Sequence, residues 1–140
     1  MADGHRTFSI SLTTPDGAVF EDEAEMVIVP GAAGEIGVLA RHAPLVAMLK
    51  AGEIRVRAQG EWQSFAAGPG YFKVQQDRAI VLVDDAVRAE EIDVEQARRE
   101  VEEARAMLER AEAGEEGTDR WHAEQRLRHA ENKVAVAGRG

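Results

Sequence analysis

The chain has 140 residues, the length of one ordinary domain or of a small domain with an appendage. It contains no cysteine, which excludes disulfides and thiolate chemistry, and its net charge of −9 argues against general nucleic-acid binding, because phosphate neutralisation needs a basic surface. No run approaches the roughly 18 apolar residues of a membrane span, and residues 1–6 lack the apolar core of a signal peptide.

From Thr7 to Val83 the sequence consists of short alternating runs separated by turn residues. Apolar Phe8, Ile10 and Leu12 alternate with polar neighbours, and a Pro-Asp-Gly turn follows at residues 15–17. The same spacing continues through further glycine-containing turns. The pattern predicts eight to ten short strands in a β-sandwich or flattened barrel.

One stretch inside this region, residues 29–45, has glycines at positions 31, 34 and 37 and prolines at both ends. It cannot run as one helix or one uninterrupted strand, so we predict a shaped loop anchored by its apolar residues. The glycine spacing fits neither a Gly-Lys-Ser/Thr phosphate loop nor a Gly-x-Gly-x-x-Gly turn. Glu35 and His42 are the groups best able to face a partner, although a solvated carboxylate and a structural histidine are equally ordinary outcomes.

The periodicity changes after Asp84. Asp93 can cap a helix through the amide of Gln96, and apolar residues then recur at heptad spacing. Residues 114–117 interrupt this seam, Thr118 is the predicted second cap, and a second seam follows. The two seams comprise Val94, Ala97, Val101, Ala104, Leu108 and Ala111, then Ala123, Leu127, Ala130, Val134 and Ala137. The prediction is therefore an α+β chain, with an all-β sandwich in residues 1–87 and an antiparallel two-helix hairpin in residues 88–140.

The seams are rich in alanine, whose methyl contributes on the order of 0.8 kcal/mol on burial against up to about 3 kcal/mol for leucine. Residues 91–119 carry 4 basic and 11 acidic side chains, whereas residues 120–140 carry 5 and 2. The helices can therefore attract each other, but exposed pairs add only about 0–1 kcal/mol each. We predict a hairpin that is weakly held and able to detach from the sandwich.

Four segments in order carry a family resemblance: residues 13–20 (TTPDGAVF), the glycine stretch through His42-Ala43-Pro44-Leu45, residues 70–74 (GYFKV) with 80–84 (IVLVD), and residues 86–88 leading to Ile92-Asp93. On these motifs the chain resembles the epsilon-subunit family of bacterial F-type ATP synthases, the counterpart of the mitochondrial delta subunit. The resemblance covers nearly the whole chain.

The resemblance implies a rotor subunit without catalytic or metal-binding residues, on the cytoplasmic face of the bacterial inner membrane. The sandwich would couple rotation of the proton-driven c-ring to ATP synthesis through the gamma subunit. By motif, Gly34, Glu35 and Ile36 would meet the c-ring. Thr14, His42 and Ala47 would lie toward gamma.

In the family the hairpin can extend along gamma and restrain ATP hydrolysis through basic residues of its second helix. The corresponding residues are Arg120, Arg126, Arg128 and Lys133, and a basic face that merely balances the first helix is the alternative. Truncation after Val87 is expected to leave assembly intact. Some members bind ATP through arginines at positions that here hold Gln96, His129 and Lys133, so we predict no tight ATP binding and no other cofactor.

Several features keep other interpretations open. The family often has glycine where Arg41 stands, which indicates either an added contact or an altered turn. Asp84-Asp85 and the pair His122 and His129 are poorly spaced for shared acid–base or metal chemistry, and Trp121 is expected in packing more often than at a partner.

The alternative function is a free-standing β module that senses a ligand, and an uncovered apolar sandwich face would favour the rotor subunit.

Overall fold

The computed structural model describes residues 6–139, with Arg139 described by its backbone only. The expectation about a signal peptide concerns mainly residues 1–5, which lie outside the described residues. The strands are β1 Phe8–Thr14, β2 Gly17–Ala24, β3 Met26–Gly31, β4 Gly34–Leu39, β5 Leu45–Leu49, β6 Gly52–Ala58, β7 Glu61–Ala67, β8 Gly70–Gln75, β9 Arg78–Val83 and β10 Ala86–Arg88. A 3-10 helix at Ala89–Glu91 leads to helices α1 Val94–Glu112 and α2 Arg120–Arg139. The predicted fold class, strands first and then two helices, is confirmed.

The strands form two layers connected in one hydrogen-bonded path. Sheet I contains β4, β3, β6, β7 and β10, and sheet II contains β5, β8, β9, β1 and β2. The layers join where Gly31 of β3 pairs with Leu49 of β5. On the other side β2 contacts β6, which nearly closes the barrel. The β1–β9 pair is parallel and the remaining pairs in the described chain are antiparallel.

The core lies between the two sheets and is built by strand alternation. Every second residue of β1 is buried, as in β6, β8 and β9. The largest fully buried side chains include Phe8, Phe65 and Phe72. Within residues 6–138, whose side chains are described, no polar or charged residue is buried. The sandwich is therefore stabilised mainly by apolar burial.

Arg88 closes one edge of the core. Its guanidinium carbon lies 5.4 Å from the ring centroid of Phe20 and 5.5 Å from that of Phe65. The same side chain donates a 2.6 Å hydrogen bond to Gln63. A cation over an aromatic face is attracted by the ring quadrupole. The strand β10 that carries Arg88 is thus a structural part of the sandwich.

The prediction of a loop at residues 29–45 is wrong for much of that stretch. As predicted, the stretch does not run as one uninterrupted strand. It forms a hairpin in which β3 pairs with β4 across a turn at Ala32 and Ala33. The glycines had been interpreted as breaks, whereas two of them lie in strand β4 and the third ends β3. Tertiary pairing overrode local flexibility here, because Val38 is fully buried in the core.

The two helices begin at acidic caps. Asp93 accepts a 3.1 Å hydrogen bond from the amide of Gln96, as predicted. Thr118 does not cap α2; its hydroxyl donates to the carbonyl of Glu115, and Asp119 accepts from the amide of Trp121 instead. The hydrogen bond from the His122 ring holds the pKa of Asp119 below its usual value. An exposed carboxylate at a helix N-terminus also complements the helix dipole, which a threonine hydroxyl cannot do.

The helices form the predicted antiparallel hairpin. Lys133 pairs with Glu100 at 3.1 Å and Arg105 with Glu131 at 3.7 Å, so residues late in α2 lie beside residues early in α1. The buried residues of the seams are Ala97, Val101, Ala104, Ala123 and Ala130. Val136 is also fully buried, although it lies outside the seam, because it packs on Ala66 of the sandwich.

Arg41 occupies a turn position that favours glycine. Its φ is +65°, in the left-handed region, and its amide donates a 2.6 Å hydrogen bond to the carboxylate of Asp77. Glycine is the residue type that this backbone conformation accommodates without strain. Because the contact to Asp77 uses the main chain, it does not depend on the arginine side chain.

We expect Arg41→Gly to be more stable than Arg41→Ala. Glycine relieves a left-handed strain of roughly 1–2 kcal/mol but costs about 0.4–1 kcal/mol in unfolded-state entropy, which leaves a difference of about 1 kcal/mol. Chemical denaturation of the two variants measures the difference in the free energy of unfolding. Equal stability of the two variants would show that the turn is not strained.

Candidate functional site

The outer surface of sheet II carries a row of exposed apolar side chains. Cross-strand pairing places Met48 of β5 opposite Tyr71 of β8, and Tyr71 opposite Leu82 of β9. Val46 lies two residues from Met48 on the same side of β5. We call these four residues, Val46, Met48, Tyr71 and Leu82, the apolar face.

The apolar face is open to solvent in the isolated chain. The relative exposures are 71% for Val46, 63% for Met48, 57% for Tyr71 and 50% for Leu82. Scattered exposed hydrophobic residues are ordinary, but contiguous ones on adjacent strands mark an interaction surface. The observation favours a docking subunit over a free-standing sensor module.

Polar residues adjoin the apolar face along the same strands. In the next row Val46 lies opposite Lys73, and Lys73 lies opposite Ile80. Further along, Arg78 pairs with Ser9, which pairs with Glu23 at the edge strand β2. The outer surface of sheet II therefore changes from apolar at the row of Met48, Tyr71 and Leu82 to charged at the row of Arg78 and Glu23. This is the usual anatomy of an interface with a hydrophobic core and a polar rim.

None of the three predicted gamma-contact residues belongs to the apolar face. Ala47 lies between Val46 and Met48 on β5 and is half-buried on the opposite side of the strand. Thr14 accepts from the amide of Asp16 within the β1–β2 turn. The Nδ1 of His42 donates to the carbonyl of Ala43 at 2.7 Å, because a carbonyl oxygen can only accept.

The sequence did contain a signal for the apolar face. Residues 45–49 are apolar at every position, although a strand at the surface of a two-layer sandwich buries only one of its sides. Such a run indicates a strand that is covered on both sides. The sequence analysis named Ala47 of this run and not Val46 or Met48, whose side chains are the exposed ones.

The residues predicted for the c-ring lie at the beginning of β4, beside the turn of the β3–β4 hairpin. Gly34 has a φ of +144°, which suits glycine, and Ile36 packs against the core. Glu35 projects outward and pairs with Arg55 at 3.2 Å, with the glutamate side chain 64% exposed. Exposed pairs of this kind contribute about 0–1 kcal/mol, so Glu35 can exchange Arg55 for another cation at little cost.

The basic residues predicted for the hairpin are distributed over its surface. Arg120 pairs with Glu124 at 2.8 Å, Arg126 donates to the sulfur of Met107, and Arg128 is exposed. Lys133 pairs with Glu100 on α1. The structure therefore does not gather these four residues into one cluster while the hairpin is folded.

The three positions considered for ATP binding in the sequence analysis are Gln96, His129 and Lys133. The Nε2 of His129 lies 2.7 Å from the carboxylate of Asp85, Lys133 is paired with Glu100, and Gln96 is exposed. Carboxylates beside two of the three positions oppose a triphosphate electrostatically. The absence of tight ATP binding stays a prediction.

A groove of 460 Å³ lies between α2 and the turns after β7 and β9, and Trp121, Arg126 and His129 contribute to its lining. Trp121 is 61% exposed, so the expectation that it is packed in the interior is wrong. Its indole lies edge-to-face with the His122 ring, with 5.2 Å between the ring centroids. His122 and His129 bind different carboxylates, Asp119 and Asp85.

Comparisons with known proteins give a consistent result. A family model described as "ATP synthase, Delta/Epsilon chain, beta-sandwich domain" matches residues 7–89. An ATP synthase epsilon chain of Shouchella clausii is 38% identical over 131 residues, which cover 94% of this chain and 95% of the relative. One of Desulforamulus reducens is 43% identical over 93 residues, 66% of this chain and 70% of the relative.

Solved structures agree with the sequence comparisons. A chain in the cryo-EM structure of the Euglena gracilis mitochondrial ATP synthase, OSCP/F1/c-ring, matches with a TM-score of 0.77 and 25% identity, over 97% of this chain and 86% of that one. A chain in the Tetrahymena thermophila mitochondrial central stalk and c-ring structure matches with a TM-score of 0.57, 13% identity and 98% coverage of both chains, which supports the fold alone. Neither α1 nor α2, the two α-helices of the described residues, is apolar enough over its length to cross a membrane.

We expect Glu35→Gln to change the free energy of unfolding of the isolated chain by no more than about 1 kcal/mol, because the ion pair to Arg55 is exposed and screened. Thermal or chemical denaturation at low and moderate salt measures the change. Val38→Ala, in the buried face of the same strand, is the control that should destabilise by roughly 1–3 kcal/mol. A large loss in Glu35→Gln would show that Glu35 has a structural role.

Proposed function

The chain belongs to the delta/epsilon chain family of the ATP synthase, and from this we propose how its surfaces serve the central stalk. The protein is a non-catalytic subunit of the F1 part of the enzyme, peripheral to the membrane. The residues proposed below for partner contacts bind and position other subunits and take no part in chemistry. The observation that carries the proposal is the uncovered apolar face of sheet II.

The apolar face is the proposed docking surface for the gamma subunit. Met48, Tyr71 and Leu82 lie side by side on three adjacent strands, an arrangement that fits the apolar side of a helical stalk. Lys73 and Arg78 on the same surface supply charges at its margin. Thr14, His42 and Ala47 shape the neighbouring backbone in this proposal, and Val46 and Met48 make the contact.

The turn between β3 and β4 is the proposed contact to the c-ring. Glu35 is the exposed anion of this turn, and the half-buried Ile36 anchors it to the core. A basic residue on a polar loop of the ring would replace Arg55 as its partner. Because the present pair is exposed and weak, giving up Arg55 costs little when the new ion pair forms.

The hairpin of α1 and α2 is the proposed regulatory part, which restrains ATP hydrolysis when it extends toward the head of the enzyme. Its seam is built largely from alanine, and most of its ion pairs are exposed. Arg120, Arg126, Arg128 and Lys133 become available to acidic partners when the folded hairpin opens. We place the boundary between the two parts within the segment that joins β10 to α1.

We expect Met48→Asp and Tyr71→Asp each to weaken binding of the isolated chain to gamma by tenfold or more. A carboxylate buried against an apolar partner costs several kcal/mol in desolvation, and 1.4 kcal/mol corresponds to tenfold in affinity. Trp62→Asp is the matched control, since Trp62 is 47% exposed on the outer surface of sheet I. Binding is measured by surface plasmon resonance on immobilised gamma. Equal weakening by all three variants would contradict the proposed surface.

Removal of the hairpin tests the division of roles. We expect truncation after Ile92 to leave gamma binding unchanged and to raise the rate of ATP hydrolysis by the assembled enzyme, or leave it unchanged. This cut retains β10 and Arg88. A cut after Val87 would remove Arg88, the cation that lies over Phe20 and Phe65. Loss of gamma binding after truncation at Ile92 would mean that the helices belong to the docking surface.

A further inference from the structure

Helix α2 presents a second face that contacts the sandwich. The side chains of His129, Asn132 and Val136 all meet residues of the β domain or its connection to α1. Successive residues of an α-helix are rotated by about 100° around its axis. The mean direction of these three side chains is therefore roughly 145° away from that of the seam residues, which face α1. We call His129, Asn132 and Val136 the docking strip. Helix α2 is thus the middle layer between α1 and the sandwich.

Asn132 forms the central contact of the docking strip. Its side-chain amide donates to the carbonyl of Gly52 at 2.9 Å and to that of Ala67 at 3.4 Å. Gly52 and Ala67 are paired residues at the beginning of β6 and the end of β7. One amide group therefore bridges the backbones of two strands. Asparagine supplies two donors on one nitrogen, which the isosteric aspartate lacks.

His129 and Val136 extend the strip to either side. The Nε2 of His129 bonds the carboxylate of Asp85, in the link between β9 and β10. At the other end Val136 is fully buried on Ala66, Ala89 and Ile92. The last two residues belong to the connection between β10 and α1. The strip therefore covers the segment about which the hairpin would have to turn.

We propose that the docking strip is the fastening that keeps the hairpin folded onto the sandwich, with α1 carried by α2. When the strip separates, the carbonyls of Gly52 and Ala67 and the carboxylate of Asp85 gain water as a partner, so no buried polar group is left unpaired. Separation on the strip side also leaves the α1–α2 seam intact. The first step of release is therefore undocking of both helices as one unit.

The regulatory meaning of this step rests on the proposed function, but the step itself is a property of the isolated chain. The absence of cysteine allows site-specific spin labelling of the full chain. Labels at Glu61→Cys and Glu116→Cys report the distance from the sandwich to the hairpin turn. Labels at Glu103→Cys and Arg128→Cys report the distance between α1 and α2. Pulsed electron–electron double resonance measures both distance distributions.

Asn132→Asp replaces the two donors with an acceptor that faces two carbonyls. We expect the ratio of docked to undocked hairpin to fall on the order of tenfold, seen as a longer and broader sandwich-to-hairpin distance. The α1–α2 distance should stay unchanged. Asp85→Ala removes the partner of His129 from the sandwich side, without altering the helix, and should act in the same direction. Gln96→Glu adds the same negative charge at an exposed position of α1 and should have no effect.

The outcomes separate cleanly. A longer sandwich-to-hairpin distance with an unchanged α1–α2 distance in both variants supports the docking strip as the fastening. An unchanged sandwich-to-hairpin distance overturns the proposal. A changed α1–α2 distance also overturns it, because the two helices would then separate from each other rather than undock as one unit. A failure of gamma binding in the experiments above would leave these results unaffected, so failure of the two proposals can be distinguished.

Discussion

Where β5, β8 and β9 lie side by side, sheet II carries apolar residues on both of its sides, and a two-layer sandwich can cover only one of them. The inner side is satisfied within the chain, where Phe72 and Val81 are fully buried. The outer side leaves Met48, Tyr71 and Leu82 in water. Apolar area in water is unfavourable in proportion to its size, so covering this face with a partner is favourable. The proposed docking of the sandwich rests on this term.

The hairpin obeys a different constraint. Its seam buries small side chains, and its attachment to the sandwich combines one valine with hydrogen bonds to groups that water can also satisfy. Such contacts hold a structure in place but cost little to exchange. A tightly packed sandwich and a more weakly attached pair of helices therefore coexist in one chain, as the proposed regulatory role of the hairpin requires.

Local sequence rules worked best where the determining contacts are close in sequence. The cap at Asp93 and the heptad seams follow from residues within one or two helical turns, and both were predicted. The same rules failed at residues 34–39, where glycine spacing suggested a loop. Pairing with β3 across a two-residue turn and burial of Val38 decided that segment. The pairing is local, but the burial depends on core residues far away in the sequence.

The sequence by itself determined the strand alternation, the change of period after Asp84, the cap of α1, the charges of both helices, and the family. The tertiary structure alone decided which apolar side of β5 stays uncovered and which residues fasten α2. Alternation assigns residues to two sides of a strand but does not state what covers each side. The contacts of His129 and Asn132 join residues 44, 65 and 80 positions apart, two of them to backbone carbonyls that no side-chain pattern encodes.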